Sequence, residues 1–282
     1  MDSTWSVADV VARMDEWYPP HTAESWDRVG LVLGDPTRRV HRLLLAVDPV
    51  AATVGEALDH GADMVITHHP LYLRGTSFLP EDDPKGALVA RLIRSGTALL
   101  NAHTNADIAW GGVSAALADL VGLRDSRPLE PTGEDAGGHA VGFGRIGGVT
   151  PQSLGAFADH VASVLPAGPH GLFVGGDEGA TVRVVAVSGG AGDHFLHAAR
   201  RAGADVFLTA DLRHHPASEH LEGGAPALLC ASHWATEWPW LPVLARRLRG
   251  AARADGVELD VEVSTMVTEP WNTHRPTTGG HR

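Results

Sequence analysis

The 282-residue sequence predicts an α/β fold made of two related α/β lobes with parallel or mixed sheets, the product of an internal duplication. Three observations carry this reading. Apolar runs that read as buried strands alternate with helical patterns: Leu43–Val47, Thr53–His60 and Met64–Thr67 make a strand–helix–strand unit with parallel pairing. The second half then restates the first, with Gly203-Ala-Asp-Val-Phe-Leu-Thr209 matching Gly61-Ala-Asp-Met-Val-Ile-Thr67 at an offset of 203 − 61 = 142. Polar clusters also gather where strands end, the place at which open α/β sheets collect ligands.

Taken in order, Ser6 caps a helix whose Val7, Val10, Val11 and Met14 recur at helical spacing, and Tyr18-Pro19-Pro20 stops it. Ala23–Pro36 is a polar, glycine-containing loop that leads into a short strand ended by Gly34. It reads either as a structural turn over a buried Trp26 or as the wall of a site, with Glu24 and Asp27 available as acids. The strand Leu43–Val47 ends at Asp48-Pro49, and Gly61 closes the helix Thr53–His60. Met64–Thr67 runs into His68-His69-Pro70. Side chains alternate faces along a strand, so adjacent histidines turn to one spot only where the strand stops. Pro70 stops it, having no N–H and a fixed φ. A helix over Lys85–Arg94, a strand over Ala98–Leu100 and a helix over Gly111–Leu120 complete the first half. The polar run Asn101-Ala-His103-Thr-Asn105-Ala-Asp107 sits at the end of that third strand.

The expected organisation is a first lobe over residues 1–125, a short connection over 126–150, a second lobe over 151–270 and a loose tail over 271–282. In the second lobe Val184–Ser188 mirrors Leu44–Asp48, and Ala227-Leu-Leu229 mirrors Ala98–Leu100. After the third strand, His103-x-x-x-Asp107 is answered by His233-x-x-x-Glu237, since 233 − 103 and 237 − 107 both equal 130. Lobes related in this way bring their third-strand ends together across a cleft. His68, His69, Asp107, His233 and Glu237 then converge from separate strand tips. Neutral imidazole suits zinc, iron or manganese, and this many nitrogen and oxygen donors exceeds one tetrahedral zinc and suits two metals sharing a carboxylate.

Composition narrows the function classes. With 44% hydrophobic and 20% charged residues the chain is globular in type. A net charge of −12 without a basic block argues against binding nucleic acid through its phosphates. No run approaches the ~18 apolar residues of a membrane span, and the first residues lack the basic and apolar regions of a signal peptide, so the expected location is cytoplasmic. Cys230 is the only cysteine, which rules out an intrachain disulfide; following Leu228-Leu229, it reads as a small core residue.

Three features are weighed as decoys. Gly142-Phe-Gly144-Arg-Ile-Gly147 fits G-x-G-x-x-G, but a dinucleotide site needs that motif to open a helix, and the next helix is expected from Thr150-Pro151, after the glycines. Asp211, His214, His215, Glu219 and His220 form a second rich cluster, with His215 and Glu219 at helical i, i+4 spacing. They occupy the equivalent of the His68-His69 segment, so they read as facing substrate or supporting the ligands, or else as surface histidines. Trp234, Trp238 and Trp240 flank His233 and Glu237 and read as a shield for metals or as core.

The order of four motifs makes the sequence recognisable: Glu24-Ser-Trp26-Asp27-x-Val-Gly30-Leu, Thr67-His68-His69-Pro70, Asn101-Ala-His103-Thr-Asn105-x-Asp107 and His233-x-x-x-Glu237. Over nearly its whole length the chain resembles the Nif-three-like dinuclear metal protein family, whose members are often labelled GTP cyclohydrolase 1 type 2 homologues. The resemblance implies two divalent cations per subunit and a toroidal homohexamer. It assigns His69 and Asp107 to one metal and His68 and His233 to the other, with Glu237 bridging. Some relatives carry a long insertion between the lobes; only about Asp125–Gly148 lies there, which is the short form. Arg28 departs from the pattern, which leads one to expect asparagine after the Trp-Asp pair. The function expected is a metal-dependent hydrolase acting on a nucleotide or purine-like ring, with His103 or Glu24 moving the proton. The alternative is a metal-binding scaffold or regulatory protein without turnover.

Overall fold

The structure is a computed structural model and describes residues 4–277; the last residues of the expected loose tail lie outside them. In chain order the elements are α1 (Val7–Trp17), β1 (Gly30–Leu33), β2 (Arg42–Ala46), α2 (Ala51–Asp59), β3 (Met64–Thr67), α3 (Pro84–Ser95), β4 (Ala98–Asn101), α4 (Thr104–Ile108) and α5 (Val113–Leu120). The second half adds β5 (Arg124–Glu134), β6 (Ala140–Ser153), α6 (Leu154–Val164), β7 (Phe173–Gly175), β8 (Thr181–Ala191), α7 (Leu196–Arg201), β9 (Val206–Ala210), α8 (His214–Glu222), β10 (Ala227–Ala231), α9 (His233–Glu237), α10 (Trp240–Ala254) and β11 (Asp260–Val263). No helix of the described residues is long and apolar enough to cross a membrane.

Two sheets confirm the mixed α/β class, with strand orders β1-β4-β3-β2-β11 and β5-β6-β8-β9-β10-β7. The repeat is visible in them. β2, β3 and β4 pair in parallel and β1 closes antiparallel on β4; β8, β9 and β10 pair in parallel and β7 closes antiparallel on β10. The shared Gly-Ala-Asp has one purpose in both halves. Gly61 and Gly203 take φ values of 64° and 75°, the left-handed turn that ends the preceding helix. Each aspartate then accepts two backbone N–H bonds at the start of the neighbouring strand. Asp63 accepts from His41 and Arg42 at 2.8 and 3.1 Å, and Asp205 from Arg183 and Val184 at 2.7 and 2.8 Å.

The sheets do not divide the chain at the expected borders. Residues 126–150, expected as a connection, form most of the β5–β6 hairpin, which pairs through β6 onto β8 as the outer part of the second sheet. The helix expected from Thr150-Pro151 begins only at Leu154, because β6 runs on to Ser153, whose hydroxyl caps the helix. The Gly142-to-Gly147 motif therefore lies within a strand and opens no helix. The helix expected from Gly111 starts at Val113. Elements also cross between the halves: Leu117, Ala118 and Val121 of the α5 region pack in the second core, while α10 and β11 pack on the first. Each sheet needs both faces covered, and the nearest amphipathic helix covers them whichever half supplies it.

Candidate metal centre

β3 stops at Thr67, as Pro70 requires, and the Thr67 hydroxyl donates to the His69 carbonyl at 2.8 Å, folding the tip. The His68 and His69 rings then lie side by side, 5.0 Å between centroids. Their outer nitrogens are held in different ways. His68 Nδ1 donates to the Ala102 carbonyl at 2.9 Å, and His69 Nδ1 to Asp48 Oδ1 at 2.7 Å. From the other lobe, His233 Nδ1 donates to Asp211 Oδ2 at 2.6 Å. With each Nδ1 so engaged, all three Nε2 atoms turn inward onto Glu237. The distances are 3.5 Å from His68 to Oε1, 3.1 Å from His69 to Oε2 and 2.9 Å from His233 to Oε1.

Glu237 and His233 sit on α9, whose start is capped by Ser232 accepting from the Ala235 N–H. The opposing wall is backbone. Gly190 has φ +65°, and a Cβ there would stand 2.5 Å from Glu237 Oε1 and 3.1 Å from His233 Nε2, so glycine is required for this approach. Asp107 enters from α4, with Oδ1 3.7 Å from His68 Nε2. The Asn101–Asp107 run also builds its own support. Asn105 accepts from the His103 N–H and donates to the Tyr18 carbonyl, while Thr104 donates twice to the buried Asp27.

The residues present fit metal ions. Three of the four buried side-chain polar atoms without a hydrogen-bond partner among the described residues are His68 Nε2, Asp107 Oδ1 and Glu237 Oε2. Leaving such atoms unmet is costly, and a cation that takes their lone pairs removes the cost. His69, His233 and Glu237 bring three donor atoms within 4.8 Å of one another, and so do His68, His69 and His103. In the protein alone, His68 Nε2 stands 3.7 Å from Asp107 Oδ1, and the His69 ring lies 5.2 Å from that of His233. From behind, His68 is held by the Ala102 carbonyl and His69 by Asp48, while both Nε2 atoms face Glu237.

Among the protein groups alone the cluster is strongly coupled. Burial opposes the charged form of His69, but the Glu237 carboxylate and the Asp48 bond outweigh it and raise its pKa to about 10. His233 is likewise opposed by burial, yet is pushed up to about 11 by Glu237 and Asp211. Burial also works against the Glu237 carboxylate, and the three imidazoles overcome it and hold its pKa well below the usual range. Asp107, half-buried beside the imidazoles and Glu237, is raised chiefly by desolvation.

His103 lies against the cluster, its ring 5.1 Å from that of His68, and its Nδ1 donates to Asp27 Oδ1 at 3.0 Å. Glu24 lines the same cavity, which has a volume of about 630 Å³ and opens from the cluster between the lobes. Trp26 is 52% exposed, not buried, and walls this cavity. Arg28 turns its guanidinium back onto the Ser25 and Asp27 carbonyls and so braces the loop. His214, His215 and Glu219 are exposed on α8, apart from both donor groups, and His220 is buried against the Pro226 carbonyl. Trp240 is fully buried and donates to the Tyr18 hydroxyl at 3.1 Å, with its ring 5.7 Å from that of His68. Cys230 is half-buried, and burial pushes its thiol pKa up, away from nucleophilic character. The bonds of Asp48 to His69 and of Asp211 to His233 are not apparent in the sequence. The available signal was an acid directly after a strand, which both share.

A duplicated α/β fold with a buried histidine–carboxylate cluster in the interlobe cleft defines a candidate metal-binding protein of the two-lobed α/β class. The chain belongs to the Duf34/NIF3 (NGG1p interacting factor 3) family, whose profile matches residues 5–270. It is 49% identical over 269 residues to a Streptomyces coelicolor protein named GTP cyclohydrolase 1 type 2 homolog, covering 95% of this chain and 94% of that one. A Mycobacterium tuberculosis protein of the same name is 32% identical over 375 aligned positions, covering 96% of this chain and 98% of the relative. Those 375 positions exceed the 282 residues of this chain, so the mycobacterial relative has segments with no counterpart in it. Among solved structures, a Bacillus cereus protein related to NIF3 shares the fold at TM-score 0.88 and 23% identity, covering 96% of this chain and 99% of that one. A Staphylococcus aureus protein matches at TM-score 0.88 and 27% identity, over 96% and 100% of the two chains.

Proposed function

We propose that the chain binds two divalent cations, one through His68, Asp107 and Glu237 and the other through His69, His233 and Glu237, and uses them as a hydrolase. The substrate class is a nucleotide or purine-like ring, in keeping with the name of its relatives, GTP cyclohydrolase 1 type 2 homolog. The observation that carries this is the pinning of three Nδ1 atoms by a carbonyl and two carboxylates, which leaves three Nε2 lone pairs aimed at one buried carboxylate. Ligand histidines are characteristically held in this way from behind. Zinc, iron and manganese all suit such donors.

The cations would supply Lewis-acid polarisation of the attacked group and activation of water. The chain supplies the rest. His103 presents Nε2 toward the cavity while Asp27 holds its Nδ1. Burial works against the Asp27 carboxylate, yet bonds from His103 and Thr104 outweigh it and keep its pKa far below the usual range. Asp27 therefore stays anionic and orients His103, which accepts or returns a proton at Nε2. Glu24, in the same cavity, is the second proton carrier. The assembly is a homohexamer in the cytoplasm.

Elemental analysis of anaerobically purified protein is expected to give about two cations per chain. Chromatography of purine nucleosides and nucleotides after incubation with the loaded protein tests turnover. Metal-free protein that takes up neither zinc, iron nor manganese overturns the proposal. Loaded protein that turns over none of these substrates leaves a metal-binding scaffold. Light scattering at monomer mass overturns the hexamer.

A further inference from the structure

The cavity has two ends of different chemistry. At one end is the histidine–carboxylate cluster. At the other the walls are aromatic. Trp26 stands on the first-lobe side, and Phe143 of β6 with His194 and Phe195, just before α7, stands on the second. Phe143 and Phe195 lie 5.8 Å apart between centroids, and the His194 and Phe195 rings 3.9 Å apart, so Phe143 and His194 present the aromatic far wall and the buried Phe195 backs it. Trp26 keeps half its surface exposed, and its ring meets that of His103 edge-on, 6.0 Å between centroids.

Besides histidines and the hydroxyls of Thr104, Ser114 and Ser188, the polar groups of the cavity are acidic. Glu24 and Glu130 line the cavity, and among the described residues no lysine or arginine does. Arg201 meets Glu130 at 3.5 Å from outside, with a side chain 70% exposed. Two divalent cations would face the carboxylates of Asp107, Glu237 and Glu24, with Glu130 met by Arg201 from outside. No lysine or arginine of the cavity wall would add to the cations against a polyphosphate, and a charge buried without a partner is costly. Sites that hold nucleoside triphosphates commonly use lysine or arginine, and neither lines this cavity. A volume of about 630 Å³ admits a ring system with one attached group.

We infer that this cavity takes an uncharged nitrogen heteroaromatic ring, a nucleobase or nucleoside, stacked on the Phe143–Phe195 wall, and rejects the triphosphate of the corresponding nucleotide. This rests on the proposed metal site for its near end only. Glu24 and Glu130 accept hydrogen bonds from ring N–H or amino groups, which such rings carry and phosphates lack. Aromatic stacking supplies the affinity.

Calorimetric titration of the zinc-loaded full chain, with zinc content measured on the same sample, tests this with guanosine and with the magnesium complex of GTP. Guanosine is expected to bind at least about tenfold more tightly than GTP. Phe143→Ala and Phe143→Leu should both weaken guanosine by about tenfold at unchanged zinc content. The leucine variant keeps the apolar volume and separates a lost ring from a lost fold. Glu130→Lys should narrow or reverse the preference. GTP binding as tightly as guanosine overturns the inference, and so does loaded protein that binds no guanosine or Phe143 variants that bind it unchanged. Protein that takes up no zinc yet prefers guanosine upholds the inference and overturns the metal proposal alone.

Discussion

Glu237, on a helix of the second half of the chain, places Oε2 3.1 Å from Nε2 of His69, at the tip of a strand in the first. Its other oxygen lies 2.9 Å from His233 Nε2 and 3.5 Å from His68 Nε2. One carboxylate thus touches every histidine of the cluster, and both of its oxygens face ligand nitrogens.

Glu237→Gln should therefore weaken both metals together. The amide keeps the size, but loses the charge and offers a nitrogen that cannot bind a cation. His233→Ala should mainly affect the metal shared with His69. Neither change opens a large apolar cavity, so both variants should remain folded. Zinc titration of the two proteins checks this, and loss of a single metal in Glu237→Gln would remove the bridging role.

Asp48 and Asp211 touch no substrate but hold His69 and His233 by their Nδ1 atoms. Asp48→Asn and Asp211→Asn should each lower metal affinity roughly 10–100-fold at one site, the range for losing such a support. Competition with a chelator reads the affinity. Because both aspartates serve the same side of the cluster, the metal held by His68 and Asp107 should change least.

The exposed histidines of α8 are a control. Alanine at His214 and His215 should leave metal content and thermal stability unchanged, since both side chains are exposed outside the donor groups. Loss of a full metal equivalent would show that the wrong histidines have been placed in the centre.

Proton release gives a pH test. Against the protein groups alone His69 and His233 hold protons to about pH 10 and 11, well above the ordinary imidazole value. A raised folded-state pKa stabilises the metal-free protein fully below the unfolded value, and that contribution is lost as pH rises through 10 to 11. A cation has to displace both protons. Zinc loading near neutral pH should release about two protons per chain, and apparent affinity should rise with pH. Indicator absorbance in weak buffer measures the release; none would mean that these imidazoles are not the ligands.

Much of this was legible in one dimension because duplication leaves a record. Gly61-Ala-Asp63 and Gly203-Ala-Asp205 announce a shared helix end and a shared strand start, and the structure returns both. The His-His-Pro tip was legible because proline ends a ladder whatever surrounds it. Residues 126–150 were not: a glycine-rich stretch gives no periodic signal, and only pairing with β8 makes it a strand. For Trp26 the sequence leaves a buried turn and a site wall both open, because aromatic residues are usually buried; the tertiary structure decides for the wall of an open cavity.

By itself the sequence determined the α/β class, the duplication and the set of five candidate ligands, since these depend on local patterns and on residue types that chemistry restricts. Only the tertiary structure decided how those five are partnered. Whether His68 or His69 lies nearer Asp107 depends on how the chain folds after β3 and on which lobe lies across the cleft. The supporting aspartates, the aromatic wall and the acidic cavity are likewise relations between distant segments, which no local pattern encodes.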